Sequence, residues 1–434
     1  MLDNVPWDLP SEPFDGTYGQ SRPPRDLKEW GGAIGDLCKY LKRTYPDEVT
    51  RQFRFRIGTE CQNRDRFDGP QQLYFDYYDF TTAAIKEVFP DAKVGPFNSA
   101  FIARPPLPPE VNVNYYELSL HCATGRNAAT GGIGAPYDFA AVSLYIPQNQ
   151  PGKNGEDRIG NISNALSIRD YYWTKIVTDS PLLLKATREV HEMGVLGTET
   201  NASVQVVSEP GVRGAVQRLQ LAIGLRKLGV KSISHWDISE NLGRPNNDDL
   251  MLLKGEAWTY FVFDHMWNSS AWSIPVHGDT SDRADYAAMA MARPDEVMIL
   301  VCSYNKSRNR TDPHDVEVLL PAGLAGKIGA QTVLASKLAR ATSVFEVVRD
   351  DLDKIGLLKP AFHAEKNEVS LVRNMTDAKG LEYVVDNGKR YEDVMADSRT
   401  LKSLPNVKVL ETDGGFVVKV SEMETPSIYA ILLR

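Results

Sequence analysis

The apolar positions of the first part of the chain alternate between two rhythms. Leu27, Trp30, Ile34, Leu37 and Leu41 recur at three- and four-residue steps, the period of an amphipathic helix, and Pro46 ends the run. Phe53, Phe55 and Ile57 then alternate with Arg54, Arg56 and Gly58, the period of a strand, and lead straight into Thr59-Glu60. A second helix is predicted over roughly 71–88, and Lys93-Val94-Gly95-Pro96 reads as a short strand. The cycle repeats: a helix around 114–123, a loop with Gly131, Gly132 and Gly134, and a strand from Phe139 to Tyr145. Helices around 168–178 and 181–190 precede a strand ending at Glu199; a helix over 211–228 precedes the strand Ser232–Trp236; a last helix covers roughly 247–266.

Strands near 53–58, 92–96, 138–145, 194–199 and 231–236, each separated from the next by helix, predict an α/β fold with a parallel sheet. Their C-terminal ends carry Glu60, Asn98, Tyr145, Glu199, Trp236 and Asp237. In a (β/α) barrel that edge holds the chemistry. After about residue 268 the texture changes. Val297–Val301, Val316–Leu320, Val407–Leu410, Gly415–Val420 and Ile428–Leu433 read as strands between turn-rich loops, with one short helix near 346–355. The expected organisation is a barrel domain over 1–267 and an antiparallel β-sandwich over 268–434.

Composition narrows the function. A formal net charge of -8, without basic runs, argues against a nucleic-acid partner, which would need a basic face for phosphates. No apolar stretch is long enough to cross a membrane, and residues 1–6 lack the basic and apolar regions of a signal peptide. The four cysteines, at 38, 61, 122 and 302, show no CxxC spacing and read as buried thiols. The seven histidines are scattered, so neither a metal nor another cofactor is expected.

Glu60 and Glu199 each follow a strand directly and each is preceded by threonine. Hydrolysis of a glycoside needs two carboxyl groups flanking the scissile bond, one to move a proton and one to attack the anomeric carbon. About 5–5.5 Å between them gives retention of configuration, and ~6.5–9.5 Å gives inversion. A glutamate after a strand can equally be an ordinary loop residue.

The run Arg54-Phe55-Arg56-Ile57-Gly58-Thr59-Glu60, then Tyr74-Phe75-Asp76-Tyr77-Tyr78, then Pro90-Asp91-Ala92-Lys93-Val94-Gly95, resembles glycoside hydrolase family 39, the group of β-xylosidases and α-L-iduronidases on (β/α)8 barrels. Tyr137–Tyr145 resembles that family's sixth strand, Gly197-Thr198-Glu199-Thr200-Asn201 its seventh, Ser234-His235-Trp236-Asp237 its eighth, and Ser303-Tyr304-Asn305 the start of its β domain. The resemblance implies Glu60 as acid/base and Glu199 as nucleophile, with Tyr145 and Asn201 lining the site. It makes Trp236 a sugar-stacking floor, although a tryptophan there is as readily a barrel-core residue. Thr59, Asn98 and Asp237 are the remaining candidate sugar contacts.

Three positions depart from the family pattern. Thr59 stands where the family has the Asn that binds the sugar 2-hydroxyl, Cys61 where it has Pro, and Ser143 where it has a sixth-strand His. His121 lies within the helix before that strand and reads as structural. Arg64, Arg66 and Arg126 are candidates to meet an acidic sugar, or plain surface residues. If the strand before Glu60 is the family's fourth, Met1 falls in the loop after the third, and the barrel begins before this chain does. The expected function is a retaining glycosidase acting on an oligo- or polysaccharide by double displacement. The alternative is a carbohydrate-binding protein on a degenerate, truncated hydrolase scaffold.

Overall fold

The computed structural model describes residues 2–16, 19–99, 112–147, 180, 182, 185–197, 205–207, 211–235, 239–242, 250–266, 269–274, 285–304, 313–321, 332–359, 372–413 and 415–434. The chain divides into two compact units: Met1–Tyr145, Asn164–Met193 and Arg226–His235 in the first; Ile146–Ser163, Gly194–Leu225 and Trp236–Arg434 in the second.

The first unit opens with a two-residue hairpin, β1 (Asp15–Gly16) and β2 (Gly19–Gln20). Helix α1 (Leu27–Thr44) starts where the Asp26 carboxylate accepts the backbone N–H groups of Lys28 and Glu29 at 2.7 and 3.2 Å. It buries Trp30, Ile34 and Cys38, one residue per turn. A short helix α2 (Asp47–Thr50) leads to β3 (Arg54–Ile57). Helix α3 (Gln71–Val88) packs on α1, where the Trp30 indole stacks on Tyr77 at 5.2 Å and its N–H donates to Thr81 Oγ1 at 2.7 Å. Strand β4 (Lys93–Pro96) pairs parallel with β3, Arg54 opposite Lys93 through Ile57 opposite Pro96. After α4 (Tyr115–Thr124), β5 (Phe139–Pro147) continues the order through a parallel bridge between Ser99 and Val142. Strand β6 (Thr187–Gly197) lies beside β5, and β8 (Val230–His235) pairs parallel with β6, while β7 (Gln205–Val207) runs antiparallel to the end of β6. The five strands therefore follow in sequence order, with α3 between β3 and β4, α4 between β4 and β5, and Val212–Lys227 between β6 and β8 among the described residues.

Leu2 pairs in parallel with Ile57. Its N–H donates to Arg56 O at 2.9 Å and its carbonyl accepts from Gly58 N at 2.6 Å. The predicted helix over 181–190 is corrected. Residues from Thr187 onward are strand. Lys185, Ala186, Arg188 and Glu189 are good helix formers, but Thr187 donates its N–H to Asp138 O at 3.1 Å and the buried Glu189 carboxylate forms an ion pair with Arg54. Pairing with distant strands overrides local propensity here. The imidazole of His121 lies on the buried Asp79 carboxylate at 3.0 Å, a structural position.

In the second unit the helix Val212–Lys227 is capped by Glu346, whose Oε1 accepts from Val212 N at 2.9 Å. The predicted helix over 247–266 is shorter. Met251–Leu253 is a strand, β10, antiparallel to β9 (Ser239–Asn241), and the helix is Gly255–His265. Strands β11 (Ser270–Ile274), β12 (Asp285–Ala292), β13 (Val297–Tyr304), β14 (His314–Pro321), β15 (Val333–Leu338), β16 (Val407–Thr412), β17 (Gly415–Met423) and β18 (Ser427–Leu433) form two antiparallel sheets, ordered β11-β12-β13-β18-β15 and β14-β17-β16. Alternate residues, among them Val297, Ile299 and Val301 of one sheet and Val318, Val418 and Val420 of the other, share one hydrophobic core. The expectation of a single helix in this region is also corrected. Besides Val344–Lys354 it holds Val372–Met375, Ala378–Asp386 and Gly388–Arg399. Phe345, Val348, Val372, Val384 and Tyr391 from these helices form a second core. Among the described residues no helix is long and apolar enough to cross a membrane.

Candidate active site

The polar residues at the C-terminal end of the parallel strands meet around Glu60. Tyr74, fully buried on α3, donates its hydroxyl to Ile57 O at 2.7 Å and so fixes the last residue of β3. The chain then turns at Gly58, whose φ is 84°. A Cβ there would stand 2.4 Å from Cys61 Sγ, so both the conformation and the space call for glycine. Glu60 itself has φ 45°. An L-residue in the left-handed region costs roughly 1–2 kcal/mol, and such strain is a mark of functional positions when the surroundings hold it. Here Glu60 N donates to Asn98 O at 3.1 Å, tying the residue to the end of β4.

The side chains continue the same joint. Ser143 on β5 donates its hydroxyl to Glu60 Oε1 at 2.5 Å, and Asn98 Nδ2 donates to Ser143 Oγ at 2.7 Å. Asn98 and Ser143 are fully buried, whereas Glu60 is half-buried. The β4–β5 register brings them together: Ser99 N donates to Ala141 O at 3.2 Å and Ser143 N to Ser99 O at 2.9 Å. Thr59 is also buried, its Oγ1 accepting from Arg56 Nη2 at 2.7 Å. Cys61 is buried with its thiol toward Thr59 O at 3.8 Å, and burial pushes that thiol well up from its ordinary range. A half-buried carboxyl anchored by a buried hydroxyl can hold or move a proton.

Of the residues predicted from sequence, Glu60, Thr59 and Asn98 are brought together. Tyr145 has its backbone in β5, with its side chain outside the described structure. Glu199, Asn201, Trp236 and Asp237 lie outside the described residues. Ser143 enters the sequence reading only as the loss of a family histidine. Its position on the same strand edge was the available signal. Arg64 and Arg126 are exposed and Arg66 is half-buried. Among the described residues no group of three or more His, Cys, Asp or Glu side chains is arranged to hold a metal.

The family model of glycosyl hydrolases family 39 matches residues 5–155, a stretch that contains Glu60, Asn98 and Ser143. The chain is 37% identical over 249 residues to an alpha-1,4-L-rhamnosidase of Formosa agariphila, covering 56% of this chain and 45% of that protein. The chain is glycoside hydrolase family 39-like. A beta-xylosidase of Caldicellulosiruptor saccharolyticus is 32% identical over 78 residues, 18% of this chain and 16% of that one. The family 39-like chain thus spans less than half the length of either relative. Its structure is similar to a monomeric beta-xylosidase from Caulobacter crescentus (TM-score 0.58, 15% identity, 100% of this chain and 80% of that one). It is also similar to a bacterial orthologue of human α-L-iduronidase (TM-score 0.61, 14% identity, 94% and 66%). At such identities the likeness is one of fold, a (β/α)-barrel region together with a β domain.

Proposed function

We propose that this family 39-like chain belongs to a retaining glycoside hydrolase that cleaves an O-glycosidic bond in an oligo- or polysaccharide. Glu60 serves as acid/base and Glu199 as nucleophile. The observation that carries the reading is the Glu60 carboxyl, held in a left-handed backbone position at a strand end and anchored by Ser143. In the first step Glu60 protonates the leaving oxygen while Glu199 attacks the anomeric carbon. In the second, Glu60 takes a proton from water, which displaces Glu199 with net retention. Tyr145, Asn201, Trp236 and Asp237 complete the sugar site in this account. The barrel domain covers 1–267, and the two antiparallel sheets of 268–434 are a β-sandwich.

The substrate we propose is an α-L-rhamnoside, the class named for the 37% identical relative. Thr59 supports a sugar contact unlike the family's usual one, because its hydroxyl is buried against Arg56. The test is hydrolysis of an aryl α-L-rhamnoside followed by proton NMR. First-formed α-L-rhamnose is expected. First-formed β anomer, or rhamnoside binding without turnover, contradicts the proposal.

A further inference from the structure

Retaining hydrolysis asks one carboxyl to present the same oxygen twice, first carrying a proton and then accepting one. Resting on the acid/base role proposed for Glu60, we infer that Ser143 is the positioning residue for that carboxyl: its hydroxyl holds Oε1 and so fixes the rotation of the group. A serine hydroxyl has one hydrogen, and a neighbour that can only donate to Oγ leaves that hydrogen for Glu60. Asn98 does so, its Nδ2 standing 2.7 Å from Ser143 Oγ, and Ser143 Oγ stands 2.5 Å from Glu60 Oε1. Asn98 and Ser143 are fully buried, so water does not compete for either contact. Asn98 Oδ1 is likewise buried and meets no donor among the described residues. The amide is therefore held by what its nitrogen does. Asn98 sets the direction of the Ser143 hydrogen, and Ser143 sets the rotation of the Glu60 carboxyl.

The test compares kcat/KM of the full chain for two α-L-rhamnosides. One carries a dinitrophenyl leaving group, which departs without a proton, and the other a methyl leaving group, which does not. Ser143→Ala is expected to lose about ten-fold to a hundred-fold on the methyl glycoside, the scale of a misplaced catalytic group, and under about three-fold on the dinitrophenyl one. Ser143→Thr, which keeps the hydroxyl, restores the methyl glycoside rate. Asn98→Asp leaves Ser143 in place but draws its hydrogen away from Glu60, and is expected to show the same split; it carries the test alone if Ser143→Ala does not fold. Equal losses on both substrates, or no loss, in variants that melt like the parent overturn the inference. Glu60→Ala is the separating control. If it too shows no split, or the parent turns over neither glycoside, the acid/base reading itself fails and the inference with it.

Discussion

The Ser143 hydroxyl on β5 stands 2.5 Å from Oε1 of Glu60, just past the end of β3, although the two residues are 83 apart in sequence. Together with the Glu60 backbone bond to Asn98, it holds a carboxylate in a conformation its own backbone disfavours. Function and local stability therefore pull in opposite directions at this residue.

That opposition predicts the behaviour of Glu60→Gly. Glycine accepts φ 45° without the left-handed cost. Glycosidase activity is expected to fall about 10²–10⁴-fold, the usual contribution of an acid/base group, while the melting temperature stays level or rises. A marked fall in melting temperature would show that the side chain is held for stability instead.

The strands around Glu60 were legible because their alternation is local. Phe53, Phe55 and Ile57 announce β3, and Leu27, Trp30 and Ile34 announce α1. The strand at Thr187–Glu189 was not, since its reasons lie on other strands at Asp138, Arg54 and Val230. The helices over 372–399 did leave a signal, with Tyr391 and Met395 one turn apart on Gly388–Arg399 and Val384 on the helix before it, all three in one core. The Asp, Lys, Gly and Asn residues between them gave the stretch the look of loops. Ser143 is a small residue with no pattern of its own, and only the register of β4 and β5 shows what it touches.

Gly255 tests how closely two elements of the second unit approach. A Cβ at this position would lie 1.6 Å from the carbonyl oxygen of Gly211, which is backbone and cannot turn aside. Gly255→Ala is expected to lower stability by about 1–3 kcal/mol or more, as for other overpacked sites. Chemical denaturation measures it. An unchanged midpoint would mean that the two segments separate freely.

Glu346 gives a pH signature. Burial raises its carboxyl above the ordinary range even though it caps the helix at Val212 and accepts from Ser343. A raised folded-state value means that the folded chain binds this proton more tightly than the unfolded one. The contribution to stability is therefore full below the ordinary glutamate value and is lost as pH rises through the folded one. Glu346→Gln keeps an acceptor for Val212 and cannot ionise. Its melting temperature should exceed the parent's at pH 8, with the gap closing toward pH 4. A gap of constant size would remove burial of the charge as its cause.

All four cysteines are free and buried. Desolvation pushes the Cys38 thiol up to about 11 and that of Cys302 to about 12, with Cys61 and Cys122 also raised. Thiolates are the reactive form, so Ellman's reagent at pH 8 should leave the native chain unmodified and titrate four thiols after denaturation. Rapid native reaction at Cys61 would contradict its burial beside Glu60.

The roles of Glu60 and Glu199 are tested most directly by azide rescue, reading the anomer of the product. With Glu60→Ala and an activated α-L-rhamnoside, azide should intercept the covalent intermediate and yield the rhamnosyl azide of retained configuration. With Glu199→Ala it should attack the substrate itself and yield the inverted azide. The opposite pairing of variant and anomer, or full activity in Glu199→Ala without azide, would contradict the assignment of this carboxylate pair.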